Sequence, residues 1–165
     1  MIQSTGLVAT AEETYNKVNP PSLPASIKEL LVTFAPWLAL LGGVLGLLVF
    51  IPGVLVLVAL SPLAGLAGGG LGYVGTIINL LLSAAGAVMS LMAFSGLRKR
   101  SYSGWTMAFW ATAVYLVAGL FPLSIGSIIG TAIGGAIGLY VLFQTKPYYD
   151  GTIAAPAPAT APAEA

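Results

Sequence analysis

The sequence predicts an all-α membrane protein: a four-transmembrane-helix bundle with both termini cytoplasmic. Three observations carry this. Residues 30–97 and residues 101–145 contain no Asp, Glu, Lys or Arg. A spanning helix needs about 20 apolar residues, so each uncharged stretch has room for two. Of the 165 residues, 58% are hydrophobic and 7% charged, against roughly 25% charged in a soluble domain. Finally, Ile125 to Tyr140 reads IGSIIGTAIGGAIGLY, with glycines at 126, 130, 134 and 138. On an α-helix that period drifts only about 40° per step, so Gly126, Gly130, Gly134 and Gly138 form one stripe. Ser127, Thr131 and Gly135 form a second row of small residues beside it. Such a helix is costly in water, at about 1 kcal/mol per glycine, but in a bilayer it lets another backbone approach closely.

Residues 1–24 form an N-terminal unit. Leu7, Val8, Ala11, Tyr15 and Val18 share a helical face, with Glu12, Glu13 and Lys17 on or beside the other. A membrane-surface helix favours Lys and Arg on its polar face, and this one has a single Lys, so a capping helix is preferred. Asn19 to Pro24, NPPSLP, must be extended, because each proline fixes its own φ and pushes its predecessor out of the α region. Ser22 suits an N-cap and Pro24 the first turn of the next helix.

The transmembrane domain occupies residues 25–150. Span 1 covers about 30–51, with Phe34 and Trp37 at an aromatic belt and a Gly42/Gly46 pair within it. Pro52-Gly53 interrupts it. The apolar run 54–60 is read as a kinked extension in preference to a re-entrant segment. Residues 61–72 form the first connection. Within them begins Gly70-x-Gly72-x-x-Gly75, which has the letters of a dinucleotide fingerprint. That motif needs a preceding strand and an acid about 20 residues on, and neither is present. Span 2 covers about 73–94, with Asn79 as its one amide, expected to bond a neighbouring helix. Arg98-Lys99-Arg100 closes it. Span 3 covers about 104–121. Tyr102 and Trp105 mark its interfacial end, and Trp110, Thr112 and Tyr115 give it a partly polar inward face. Pro122 turns the chain into span 4, about 124–143, the glycine helix, with Thr131 as a second interhelical polar group. Lys146, Tyr148 and Tyr149 anchor its end. Residues 151–165, rich in Ala and Pro, read as a disordered tail.

Two spans per uncharged stretch put Lys17, Lys28, Arg98, Lys99, Arg100 and Lys146 on one side. The positive-inside rule makes that side cytoplasmic, and Arg98, Lys99, Arg100 and Lys146 then face lipid headgroups. A third crossing through 54–67 would place Lys17 and Lys28 opposite the Arg98–Arg100 cluster, which argues against it. Counting rise per residue, Gly42 and Gly46 lie about 18 to 24 Å above the inner end of span 1, and Gly126 and Gly130 about 20 to 26 Å above that of span 4. The expectation is a close antiparallel seam between spans 1 and 4 at these glycines.

The run from the Arg98–Arg100 loop through Gly104-Trp105 to IGLYVLFQTKPYY, with APWLALLGG in span 1, resembles small bacterial multi-pass membrane proteins of the candidate-phyla type. The resemblance implies a bacterial inner-membrane protein and carries no activity. The N-terminus lacks the basic start and immediate apolar run of a signal peptide, so span 1 is expected to be retained.

Function classes narrow accordingly. There is no Cys and no His, which removes disulfides, thiolate catalysis, and the commonest metal ligand and general base. No metal and no cofactor are expected. The net charge of +1 does not point to nucleic acid. Glu29, Lys28, Arg98 and Tyr148 are interfacial titratable groups in no recognisable catalytic motif, so an enzyme is not expected. The favoured reading is a structural or interaction-type membrane protein that packs through small-residue faces, with the lipid bilayer and a homo-oligomer or larger membrane complex as partners. The alternative is an oligomeric channel or small transporter for an uncharged or weakly polar solute. The spans carry none of the ionisable groups that ion carriers place in the membrane.

Overall fold

In a computed structural model, residues 6–66, 70–121 and 124–153 are described. Among them the chain is all-helical: α1 (Leu7–Val18), α2 (Ala25–Leu66), α3 (Gly70–Arg98), α4 (Tyr102–Leu120), α5 (Ile125–Thr145) and a 3-10 turn over Lys146–Tyr148. Four of these helices are long and apolar enough to cross a membrane, with mean hydropathies of 2.8, 2.0, 1.2 and 1.8 for α2 to α5.

The largest departure from expectation is α2. It runs unbroken through 42 residues, past Pro36, Pro52 and Pro62, about 63 Å at 1.5 Å per residue. Residues 54–66 therefore continue span 1. The break expected at Pro52-Gly53 is absorbed into helix, as are residues 61–66 and 70–72 of the connection expected over 61–72; residues 67–69 lie outside the described residues. A proline removes the N–H that would bond the carbonyl four residues back, and hydroxyls compensate at two of the three sites. The Ser61 hydroxyl donates to the Val58 carbonyl at 2.8 Å, the group that Pro62 leaves open. The Tyr149 hydroxyl is directed at the Val32 carbonyl, 3.5 Å away and buried, the group that Pro36 leaves open. Such re-satisfaction is what allows proline inside a membrane helix.

The start of α2 also differs. The Pro24 carbonyl accepts from Lys28 N–H at 3.1 Å, so the helix begins directly after Pro24 and Ser22 lies outside it. The letters Gly70, Gly72 and Gly75 fall inside α3, without the strand a phosphate-binding turn requires. Expectations for residues 154–165 lie outside the described residues.

The four long helices form an antiparallel meander, each packing on the next. The turn between α3 and α4 is tight. Gly96 and Gly104 meet so closely that a Cβ on Gly104 would stand 2.3 Å from the Gly96 carbonyl carbon. The turn closes with Ser101 N–H on the Gly96 carbonyl at 2.9 Å and Arg100 N–H on the Leu97 carbonyl at 3.0 Å. This is the Schellman pattern, whose left-handed position usually holds glycine. Here it holds Arg100, at φ 50°. Ser101 then caps α4 by accepting from Gly104 N–H. At the other end Ser124 and Ser127 form a reciprocal capping box for α5.

Candidate functional site

Three places were candidates from the sequence: the small-residue faces, the intramembrane polar groups and the charged end. The structure rearranges the first. Gly43 packs on Leu91 and Ala87, Gly46 on Ala87 and Tyr115, and Gly53 on Leu80. These contacts fix α2 against α3, with Gly46 also reaching α4. The seam between α4 and α5 uses the second small row, Thr131 against Gly119 and Gly135 against Leu116, joined by Gly138 of the periodic stripe against Thr112. A Cβ built at Gly42, Gly126, Gly130 or Gly134 would meet no described atom within 4 Å. The expected pairing of Gly42 and Gly46 with Gly126 and Gly130 is therefore not formed within one chain. The physical reason is the meander: α3 and α4 separate α2 from most of α5, and the two touch over a short stretch only.

The polar groups inside the bundle answer local backbone needs. Asn79 Nδ2 donates to the Ala118 carbonyl at 2.7 Å. That carbonyl also accepts Phe121 N–H at 3.1 Å, because the residue four positions on, Pro122, has no N–H to offer. Trp105 was expected at the interface. It is fully buried, and its indole N–H donates to the Leu142 carbonyl at 2.8 Å. The Leu142 carbonyl lacks its helical N–H because Lys146 N–H turns to Phe143 instead, and it also accepts from the Thr145 hydroxyl at 3.1 Å. Trp110, expected on the inward face with Thr112 and Tyr115, is exposed.

The charged end is the most elaborated part of the molecule. α1 docks on the last turn of α5. Val8 is buried and joins a cluster with Val32, Trp105, Phe109, Phe143 and Tyr149. Tyr15 stacks on Phe143 at 5.0 Å between ring centres. Lys146 is 8% exposed, its Nζ 2.5 Å from Glu12 Oε1 and 5.8 Å from the centre of the Trp105 ring. It was expected at the headgroups and is instead enclosed by α1, because a cation over an indole face with a carboxylate beside it is stable away from water. The proline-rich linker is clamped where its own N–H groups are missing. The Pro21 carbonyl accepts from the Tyr140 hydroxyl at 2.6 Å and from Gln144 Nε2 at 3.2 Å. Burial pushes the Tyr149 hydroxyl up to about 12, against the opposing charge of Arg100. Burial and neighbouring Tyr140 raise that of Tyr15. Arg98 and Lys99 are exposed. Arg100 is half-buried, and its Nη1 is buried with no hydrogen-bond partner among the described residues.

Two intramembrane spaces border these elements. A cleft of about 910 Å3 lies between α2 and α3 near Pro52, walled by apolar side chains with Thr76 and Asn79. A second, of about 420 Å3, lies where α2 diverges from α5, with α4 behind it. Sequence reasoning missed both, and it missed the internal role of Lys146. A signal for the latter existed in Glu12, placed on a short amphipathic helix whose other charged residues, Glu13 and Lys17, pair with each other.

No protein-family model, no curated protein and no solved structure matches this chain.

Proposed function

We propose that the protein is a structural, interaction-type membrane component that assembles with a second copy of itself through the outer face of α5. The observation carrying this is the open stripe of Gly126, Gly130 and Gly134, where an added Cβ would meet no described atom within 4 Å. Exposed Ile129, Ile133 and Ile137 flank it. Each glycine costs helix stability, and what it offers in return is close approach of another helix backbone. The positive-inside rule supports a cytoplasmic location for the charged end, and the resemblance stated above supports a bacterial inner membrane.

The natural absence of Cys makes the test direct. G130C in an otherwise unchanged chain should form a disulfide-linked dimer in membranes on mild oxidation. A132C, on the opposite side of α5 by helical angle, should not. A monomeric mass in both detergent and bilayer, with no cross-link at 130, overturns the reading. The alternative, an oligomeric channel or small transporter for an uncharged or weakly polar solute, draws support from the hydroxyls of Ser90, Thr112, Tyr115 and Thr131 along the interior spaces. Solute flux through proteoliposomes would decide for it.

A further inference from the structure

We propose that the groove between α2 and α5 is a binding site for one acyl chain of an anionic phospholipid, whose phosphate is held at Arg100. The groove is bounded by Ala39 and Gly42 of α2, Trp105 and Tyr115 of α4, and Gly138 and Tyr149 at the α5 side. Its walls are almost wholly apolar. One of its residues, Gly42, is a glycine that the expected seam would have buried, and with Gly138 on the facing wall the missing side chains create the space. Along α2 it extends from Leu31 to Gly42, about 16 Å by helical rise. That is half of the roughly 30 Å hydrocarbon core, the depth of one leaflet. Its volume, about 420 Å3, is in the range of small-ligand sites. It begins at the charged end and stops near mid-bundle, so the leaflet is the one on the charged side.

Charge complementarity names the headgroup. Leu97 and Tyr149 form the charged-end rim of the groove. Arg100 follows Leu97 by one turn, and its N–H bonds the Leu97 carbonyl. Its charge is close enough to Tyr149 to act on that hydroxyl. Buried guanidinium nitrogens are nearly always paired, yet Arg100 Nη1 has no partner among the described residues, while the residue as a whole is only half-buried. A phosphate is the partner for which a guanidinium fork is best shaped. Arg100 also occupies a left-handed position at φ 50°, where glycine is the unstrained choice. The exposed Arg98 and Lys99 lack these features.

The test uses the full chain carrying W37F and W110F, so that Trp105, buried in the groove wall, is the one fluorophore of its kind. It is reconstituted into phosphatidylcholine vesicles containing a minor fraction of phosphatidylglycerol. Bromine is placed on the chains of one lipid or the other at equal mole fraction. Brominated phosphatidylglycerol should occupy the groove with roughly fivefold preference over brominated phosphatidylcholine, the worth of one basic residue against an anionic lipid. R100G relieves the backbone strain and should abolish the preference while helical content is kept. R100K should retain most of it, and K99Q should leave it unchanged. G42L, or G138L on the facing wall, should remove quenching by both lipids. Equal quenching of the Arg100 protein by the two lipids overturns the proposal. So does a preference that survives R100G, or one that K99Q lowers as much as R100G. Loss of the preference on adding free inorganic phosphate assigns the site to a soluble anion and overturns the lipid.

Discussion

Asn79 of α3 donates from Nδ2 to the Ala118 carbonyl of α4 at 2.7 Å, and so ties α3 to the last turn of α4, sharing that carbonyl with Phe121 N–H. Replacing the amide by leucine should destabilise the bundle by about 0.6–2 kcal/mol, the measured span of interhelical hydrogen bonds in membranes. N79D should be worse, because an ionised carboxylate accepts and cannot donate. Equilibrium unfolding in mixed micelles would check the order: wild type most stable, then N79L, then N79D.

The glycines divide into two classes. At Gly104 an added Cβ would lie 2.3 Å from backbone of Gly96, and backbone cannot move aside as a side chain can. G104A should cost about 1–3 kcal/mol as an overpacked contact. At Gly130 no described atom stands within 4 Å of an added Cβ, so G130A should leave the stability of the single chain unchanged or raise it by up to about 1 kcal/mol through helix propensity. Thermal unfolding of the two variants side by side measures this. It reverses the rank that the sequence pattern favours, in which the periodic stripe is the internal seam.

The enclosed ion pair between Lys146 and Glu12 should hold α1 in place. K146M leaves the Glu12 carboxylate beside an apolar side chain. Breaking a partly enclosed pair by removing one partner costs up to about 3–5 kcal/mol when burial is complete, and less here because Glu12 retains access to water. The expected outcome is release of α1, read as faster proteolysis within residues 7–24, with α2 to α5 still folded by circular dichroism.

Alkaline pH should unlatch the same end. The Tyr149 hydroxyl is raised by burial from 10.0 to about 12 in the folded chain. Its neutral form is favoured by folding, so this contribution is complete below pH 10 and is lost as pH rises through about 12. Stability followed across that window should fall in the wild type. The fall should be smaller in Y149F.

Both termini should be found on one side of the membrane. The contact between Glu12 and Lys146 requires it directly, and four crossings require it independently. Accessibility of a tag at each end, measured in intact and in opened vesicles, checks the placement. Whether that side is the cytoplasm follows from the positive charges and is read in the same experiment.

The elements of the bundle were legible because charge and hydropathy decide what can enter a bilayer, and the two uncharged stretches leave little freedom. Helix ends were harder to read. Pro52 and Pro62 look like stops, yet the α2 helix absorbs them, and the hydroxyl that rescues the Val58 carbonyl sits next door at Ser61. The rescue of the Val32 carbonyl, by contrast, comes from Tyr149, more than a hundred positions away, where no local pattern reveals it. The partners of the glycines were not legible at all. A period of four shows which residues share a stripe, but which neighbour meets that stripe depends on the order in which helices pack. The row of Thr131 and Gly135, offset by one residue from the periodic stripe, is the one that α4 uses. For the same reason Trp105 looked like a belt residue and is a core residue.

The pairing of Glu12 with Lys146 has a consequence in time. Chains are made from the N-terminus, so α1 leaves the ribosome long before its binding surface exists. Each of α3 to α5 can settle against the helix just before it as synthesis proceeds. α1 alone must wait for the final turn of α5, 134 positions later. Closure of this end therefore follows the packing of the four long helices. A chain cut short before Lys146 would present a loose amphipathic helix to the cell, and one that reaches it would not. The latch thus distinguishes chains that carry the end of α5 from those interrupted before it, a difference that proteolytic surveillance could read.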